Sequence, residues 1–113
     1  SMESAIFSYQ GVIRPMDYIE QEKLTRAGDT SPEAIHHRLV ATRKMTGMTS
    51  KQLAASAGIK YTTFISQEKA GSPSVKLMTF YLKAFMVDYN FILGGDPARL
   101  PADVREAILA ELD

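Results

Sequence analysis

The apolar residues of this chain recur at helical spacing in short runs from residue 32 onward. Ile35, Leu39, Thr42 and Met45 stand at i, i+4, i+7 and i+10, which places them on one helix face, where the methyl group of Thr42 can pack inward. A second stripe with a period of four follows near the end of the chain, at Val104, Ile108 and Leu112. The pattern predicts an all-α protein with five or six short helices in its body and no strand hairpin in its central part.

Residues suited to helix ends divide this pattern into separate elements. Ser31 is a good N-cap with Pro32 at the first helical position, and Gly47 can end the same helix in a left-handed conformation. Equivalent signals at Thr49, Gly58, Ser74, Asp88, Gly94 and Pro101 mark the other boundaries. They predict helices over residues 32–46, 50–57, 60–69, 75–86, 89–93 and 101–112.

The beginning of the chain has a different pattern. Residues 4–13 show no helical period and are compatible with either a short strand or an ordered arm. After Pro15, residues 16–27 predict a short helix with Tyr18, Ile19 and Leu24 on its apolar side. Residues 28–32 are a linker.

Charge is distributed unevenly, although the net charge is zero. Residues 1–33 contain three basic and six acidic residues, and residues 88–113 contain two basic and six acidic ones. The acid Glu68 stands alone among eight basic residues between positions 34 and 87, namely Arg38, Arg43, Lys44, Lys51, Lys60, Lys69, Lys76 and Lys83. A cationic centre between anionic ends is typical of a nucleic-acid face, and the alternative is an ordinary solvated surface.

The sequence lacks the groups that catalysis and metal binding need. No cysteine is present, which excludes disulfides and thiolate metal sites. His36 and His37 are adjacent and would point about 100° apart on a helix, so we expect two surface histidines rather than a metal site. Glycine-rich phosphate loops and the HExxH and GxSxG motifs are absent. We therefore expect no enzyme activity, no cofactor and no small-molecule ligand.

Membrane association is also not indicated. No apolar run approaches the roughly 20 residues that a membrane helix needs. The chain does not start with a cationic segment followed by an apolar one, so we expect no signal peptide. These features favour a cytoplasmic protein.

Residues 50–69 have the spacing of two helices joined by a tight turn. Ala54 is small enough to lie where the two helices cross, and Gly58 tolerates the positive φ that the turn requires. Four apolar residues fall where both helices must pack on the core: Leu53, Ala57, Ile59 and Phe64. This is the pattern of a helix-turn-helix.

A wider set of residues, spread over four successive helices, agrees in type and register with one known family. It comprises Arg38-Leu39, Arg43, Gly47-Met48-Thr49, Leu53-Ala54, Gly58-Ile59, Thr63-Phe64, Glu68, Pro73-Ser74 and Leu93-Gly94-Gly95. Over residues 38–95, about half of the chain, the sequence resembles the Cro/cI-type (XRE) family of phage and bacterial repressors. Three positions depart from the family: Ser50 replaces a usual Gln, Gln67 replaces a bulky apolar residue, and Ile65 lies on an otherwise polar face.

The resemblance implies a domain organisation. A compact five-helix lambda-repressor-like domain would occupy residues 31–95, preceded by an arm and short helix over residues 1–30. Residues 96–113 would form a C-terminal helix that packs on the domain or on a partner subunit. The resemblance also implies a bacterial or phage-encoded protein associated with the nucleoid.

The same resemblance implies how DNA would be bound. The third helix of the domain would lie in the major groove, with Lys60 nearest a phosphate and Tyr61 and Thr62 donating to base or backbone acceptors. Ile65 could pack on a thymine methyl group, and Ser66 could take either role. The remaining DNA-binding candidates are Ser50 and Lys51, whose backbone N–H groups could receive a phosphate, and Lys69 and Lys76.

Two further features follow from comparison with the family. Arg43 and Glu68 occupy positions that form a partly buried ion pair in it. Leu77 and Phe80 occupy positions that are commonly polar, so we expect them to be covered by the N-terminal segment, by the last helix or by a second subunit.

The sequence therefore favours a sequence-specific regulator of transcription that binds double-stranded DNA, expected to be a repressor and a homodimer. The alternative is a protein-interaction module, antitoxin-like or a transcription adaptor, that reuses the helix-turn-helix fold.

Overall fold

The structure, a computed structural model, describes residues 6–9 and 12–113. From residue 18 onward all of its regular secondary structure is helical, which confirms the all-α expectation for the body of the protein. The described residues form seven helices. They are α1 (Tyr18–Thr25), α2 (Pro32–Thr46), α3 (Ser50–Ala57), α4 (Tyr61–Ala70), α5 (Val75–Phe85), α6 (Tyr89–Gly94) and α7 (Ala102–Leu112).

Two short strands precede the helices, β1 (Ile6–Tyr9) and β2 (Val12–Pro15). They pair in antiparallel orientation, with Ile6 opposite Pro15 and Tyr9 opposite Val12. Of the two conformations left open for this segment, the described part adopts strands. The rest of that segment, residues 4–5 and 10–11, lies outside the described residues.

Most helices begin and end with the expected capping groups. The side chains of Ser31, Thr49, Ser74 and Asp88 each accept a hydrogen bond from the backbone N–H three residues later. These bonds satisfy donors that a helix leaves unpaired at its start. The fourth predicted helix ends one residue earlier than expected, because Met86 adopts a left-handed conformation with φ 60°.

The core is a single cluster to which all helices from α2 to α7 contribute. Helix α2 is central, since it contacts α4, α6 and α7, and α7 also contacts α1. Ile35 and Leu39 face the cluster, and Thr42 is fully buried with its hydroxyl donating to the carbonyl of Arg38 at 2.7 Å. The first and last helices are therefore packed into the same body as the middle of the chain.

The face of α1 that packs on the body is not the predicted one. Tyr18 and Ile19 are 47% and 65% exposed. At about 100° per residue they lie roughly 120° and 140° around the helix from Leu24, so neither shares a narrow face with it. Thr25 is the buried residue, and its hydroxyl donates to the carbonyl of Gly95 at 2.7 Å. A polar contact therefore fixes α1 where an apolar stripe had been expected.

Leu77 and Phe80 are covered within the described structure, as expected, and do not form an exposed patch. Leu77 is fully buried in the core cluster. Phe80 is half-buried and packs on Tyr81 and Phe85, with ring centroids 6.0 Å apart in both pairs. The cluster that encloses Leu77 also contains Ile108 of α7, one of the residues expected to cover it.

The helices in the described part of the chain are all too short or too polar to cross a membrane.

Candidate nucleic-acid interface

Helix α4 presents a continuous outward face. Phe64 and Glu68 point into the body, so the residues on the opposite side of the helix are left to solvent. Tyr61 and Ile65 are 42% and 37% exposed. The exposed residues of α4 include all five of its candidates from the sequence, Tyr61, Thr62, Ile65, Ser66 and Lys69, together with Thr63 and Ala70.

The turn before α4 has the backbone geometry that the sequence predicts. Gly58 adopts φ 70° and ends α3, and the N–H of Ile59 donates to the carbonyl of Ala54 at 2.9 Å. Ala54 is buried at the contact between α3 and α4. The two helices are thus held at a fixed angle by a short, hydrogen-bonded connection.

Lys51 links the start of α3 to the start of α4. Its Nζ lies 5.6 Å from the centroid of the Tyr61 ring, within the range of a cation–π contact. The contact brings a charge from one helix over an aromatic residue of the next. Lys51 and Tyr61 therefore belong to one surface.

A further lysine reaches this surface from α5. A Cβ atom placed on Gly58 would lie 3.4 Å from the Nζ of Lys76, so the ammonium group sits beside the α3–α4 turn. Lys60, the residue before α4, is exposed two positions along the chain from that glycine. Lys76 is among the candidates from the sequence, and the packing of α5 brings it to the turn.

The N-termini of α3 and α4 differ in how they are capped. In α3 the hydroxyl of Thr49 accepts from the N–H of Gln52 at 3.1 Å, and the Gln52 side chain accepts from the N–H of Thr49 at 2.9 Å. Such a box leaves the N–H groups of Ser50 and Lys51 to face solvent or an anion. In α4 the N-cap residue Lys60 makes no side-chain capping bond.

Charges on the outside of the central region are all of one sign. Glu68, the sole acid between residues 34 and 87, is buried. Arg38 is buried and Arg43 is bound to Glu68, so neither adds to the exposed charge, and the sequence count overstated it. The exposed cations that remain are Lys44, Lys51, Lys60, Lys69, Lys76 and Lys83, none of which has an ion-pair partner in the described residues.

The expected ion pair between Arg43 and Glu68 is present. The Arg43 Nε lies 3.0 Å from one Glu68 carboxylate oxygen, and its Nη2 lies 3.1 Å from the other. The hydrogen bonds that Arg43 donates to the Glu68 carboxylate raise the pKa of Arg43. His36 adds a contact of 2.7 Å from Nδ1 to the carbonyl oxygen of Glu68, so only His37 of the two histidines is an exposed surface residue. The pair fixes the end of α4 against α2.

Gln67, which departs from the family pattern, has a structural role. Its side-chain oxygen accepts from the backbone N–H of Ser74 at 2.9 Å. The amide therefore holds the connection between α4 and α5 instead of filling the core.

A cavity of about 270 Å³ lies at α1 and is lined by Met16, Glu20, Lys23, Leu24 and Asp113. Within the described ranges, no cluster of histidine and carboxylate side chains could hold a metal ion.

A scan of protein-family models, a search of the curated proteins and a search of the solved structures each gave no match to this chain.

Proposed function

We propose that the protein is a sequence-specific regulator of transcription, a repressor rather than an enzyme, and that it binds double-stranded DNA. In this proposal α3 and α4 form a helix-turn-helix of the lambda-repressor type, and the protein acts as a homodimer. The observation that carries the proposal is the outward face of α4, which is bordered by lysines from three elements. No carboxylate is exposed between residues 34 and 87 to oppose a phosphate.

The arrangement supports distinct roles for the residues. Lys51, Lys60 and Lys76 would neutralise phosphates on the flanks of α4, since flexible ammonium groups suit backbone contacts. Tyr61, Thr62 and Ser66 would donate to base edges or phosphates. Ile65 would contact a thymine methyl group, which is the apolar feature of the major groove. Ser50 and Lys69 would bind the backbone at either end of this surface.

Titration of a labelled duplex at several salt concentrations tests the proposal. Each phosphate neutralised contributes about −0.9 to the slope of log K against log salt, so we expect a slope steeper than about −3. A binding constant that does not change with salt concentration, or an absence of binding at about 50 mM salt, contradicts the proposal.

Matched charge variants make this test specific to the surface. Lys60→Ala and Lys76→Ala should each make the slope shallower by about one unit. Lys23 is an exposed lysine of α1. Lys23→Ala removes the same charge outside the candidate interface and should leave the slope unchanged. Equal effects of all three variants would point to net charge alone.

A protein-interaction module is the second candidate, and one observation favours it. Tyr61 and Ile65 put exposed apolar surface on the face of α4, and aromatic residues are enriched where proteins bind proteins. A protein that binds no duplex at low salt, yet loses a protein partner on Ile65→Lys, would support this candidate.

A further inference from the structure

The strands β1 and β2 pack mainly on each other and not on the helices. Each strand is four residues long and pairs with the other. The rest of the described chain is helical and supplies no third strand. A two-stranded hairpin is marginally stable alone in water, so this element gains stability if another strand adds to one of its edges.

The register shows which backbone groups face outward. Two residues separate Tyr9 from Val12, which lie opposite each other. The pair that flanks a two-residue connection exchanges hydrogen bonds, and pairs alternate along an antiparallel ladder. Ser8 and Ile13 therefore direct their N–H and C=O groups to the free edges, as do Ile6 and Pro15.

The two free edges are not equivalent. The outward positions of β2 are Ile13 and Pro15, and Pro15 has no N–H to donate. Arg14 adds a charge to the same strand. Proline and charge are the features that protect a strand edge from pairing. The edge of β1 has neither, because Ile6 and Ser8 both offer a donor and an acceptor and the strand contains no charged residue.

We propose that β1 pairs with β1 of a second copy of this chain. Two antiparallel copies meet in register about Phe7, so that Ile6 of each copy exchanges hydrogen bonds with Ser8 of the other. Such a pairing has the two-fold symmetry of a closed dimer, and no like charges oppose each other along it. The result is a four-stranded sheet that joins two helical bodies.

This contact would be the interface of the proposed homodimer. The part that such a dimer would play in DNA binding rests on the proposed function. A pair of four-residue strands buries little surface, so we expect a weak dimer with Kd in the micromolar range or above. Binding to two half-sites on one duplex would raise the effective concentration of one copy near the other.

Sedimentation of the full chain over a range of concentrations, without DNA, tests the inference. Ser8→Pro removes a donor from the free edge of β1 and leaves the ladder within the hairpin intact. It should raise the dimer Kd by about 10-fold or more, since one hydrogen bond is lost from each copy. Ile13→Pro makes the same change on the free edge of β2 and should leave the Kd unchanged.

Several results would overturn the inference. They are a wild-type protein that is monomeric at about 0.5 mM, a Ser8→Pro variant that dimerises normally, and equal losses in both variants. The helical content and melting temperature of both variants should match the wild type. Because DNA is absent, the outcome is independent of the salt titration. A protein that dimerises through β1 but binds no duplex overturns the proposed function alone.

Discussion

The guanidinium of Arg38 joins segments that are far apart in the sequence. The side chain is 1% exposed, and its three nitrogens donate to five backbone carbonyls, those of Thr25, Arg26, Asp29, Ile92 and Leu93. Four of these carbonyls belong to the C-terminal ends of α1 and α6, where helices carry partial negative charge and unpaired acceptors. A buried cation is thus satisfied without a carboxylate, although burial lowers the pKa of Arg38.

Arg38→Met should destabilise the protein by about 3 kcal/mol or more, because the change leaves several buried carbonyls without a donor. Urea unfolding followed by circular dichroism measures the difference. Lys44→Met is the control, since Lys44 is exposed on the same helix and should change stability by less than about 0.5 kcal/mol. Similar losses for the two variants would contradict this role of Arg38.

Tyr81 offers the opposite case of a buried polar atom without a partner. Its side chain is fully buried, and its hydroxyl makes no hydrogen bond to any described residue. Burial, followed by the nearby charge of Glu68, raises the pKa of this phenol. Such a hydroxyl costs free energy that a phenylalanine would not.

Tyr81→Phe should therefore keep or increase stability, by up to about 1 kcal/mol near neutral pH. The pH dependence has a defined sign. The folded state holds the phenolic proton more tightly than the unfolded state, whose tyrosine titrates near 10.0, so stability falls as the pH rises above about 10. Unfolding measured from pH 7 to 11 should show a shallower fall in the variant. A loss above about 1 kcal/mol at pH 7 would mean that the hydroxyl is bonded.

At the scale of elements, the Arg43–Glu68 pair connects α2 to the end of the helix proposed to enter DNA. The side chains are 22% and 10% exposed, so water screens the pair only in part. Glu68→Ala should lower stability by about 3 kcal/mol, since it leaves a half-buried guanidinium unpaired. Lys69→Ala, one residue along on the exposed face, should not. Equal melting temperatures for the two variants would show that the pair contributes nothing measurable.

Helix boundaries were predictable because their signals are local. An N-cap such as Thr49 bonds to a backbone group three residues away, and a glycine such as Gly58 is favoured wherever φ is positive. The burial of Leu53 and Phe64 followed from helical spacing in the same way. Signals of this kind need no knowledge of the rest of the chain.

Features that depend on distant contacts were not predictable. Arg38 looked like one more surface cation, because the carbonyls that bind it come from residues up to 55 positions away. The packing face of α1 was missed for the same reason. Thr25 is buried where its hydroxyl donates to the carbonyl of Gly95, a residue 70 positions later in the sequence. The position of Lys76 beside Gly58 likewise depends on the packing of α5 against the α3–α4 turn, which local signals do not specify.

At the scale of the whole molecule, a net charge of zero conceals two kinds of surface. The exposed side chains of residues 34–87 carry lysines and no carboxylate, whereas most carboxylates lie in residues 1–33 and 88–113. A polyanion would be attracted to the first surface and repelled from the second. This asymmetry would orient the protein on a duplex before any base is contacted.

In helix α4, the stability of the fold and the recognition of the DNA sequence should depend on different residues. Phe64 is fully buried, so Phe64→Ala should cost about 3–5 kcal/mol of stability by leaving a cavity. It should weaken binding to all duplexes through unfolding. A variant that binds poorly while melting like the wild type would contradict this assignment.

Tyr61 and Thr62 lie on the exposed face of the same helix, so Tyr61→Ala and Thr62→Ala should leave the melting temperature nearly unchanged. If either side chain contacts a base, its loss should reduce discrimination between a selected site and random duplex by about 1–3 kcal/mol. Lys60→Ala should instead weaken both duplexes alike, because a phosphate contact carries no sequence information. The measurement is a pair of titrations for each variant, one on each duplex. If Tyr61→Ala and Thr62→Ala each lower the affinity for the two duplexes equally, these residues contact the DNA backbone. They would then make no base contacts that distinguish one sequence from another.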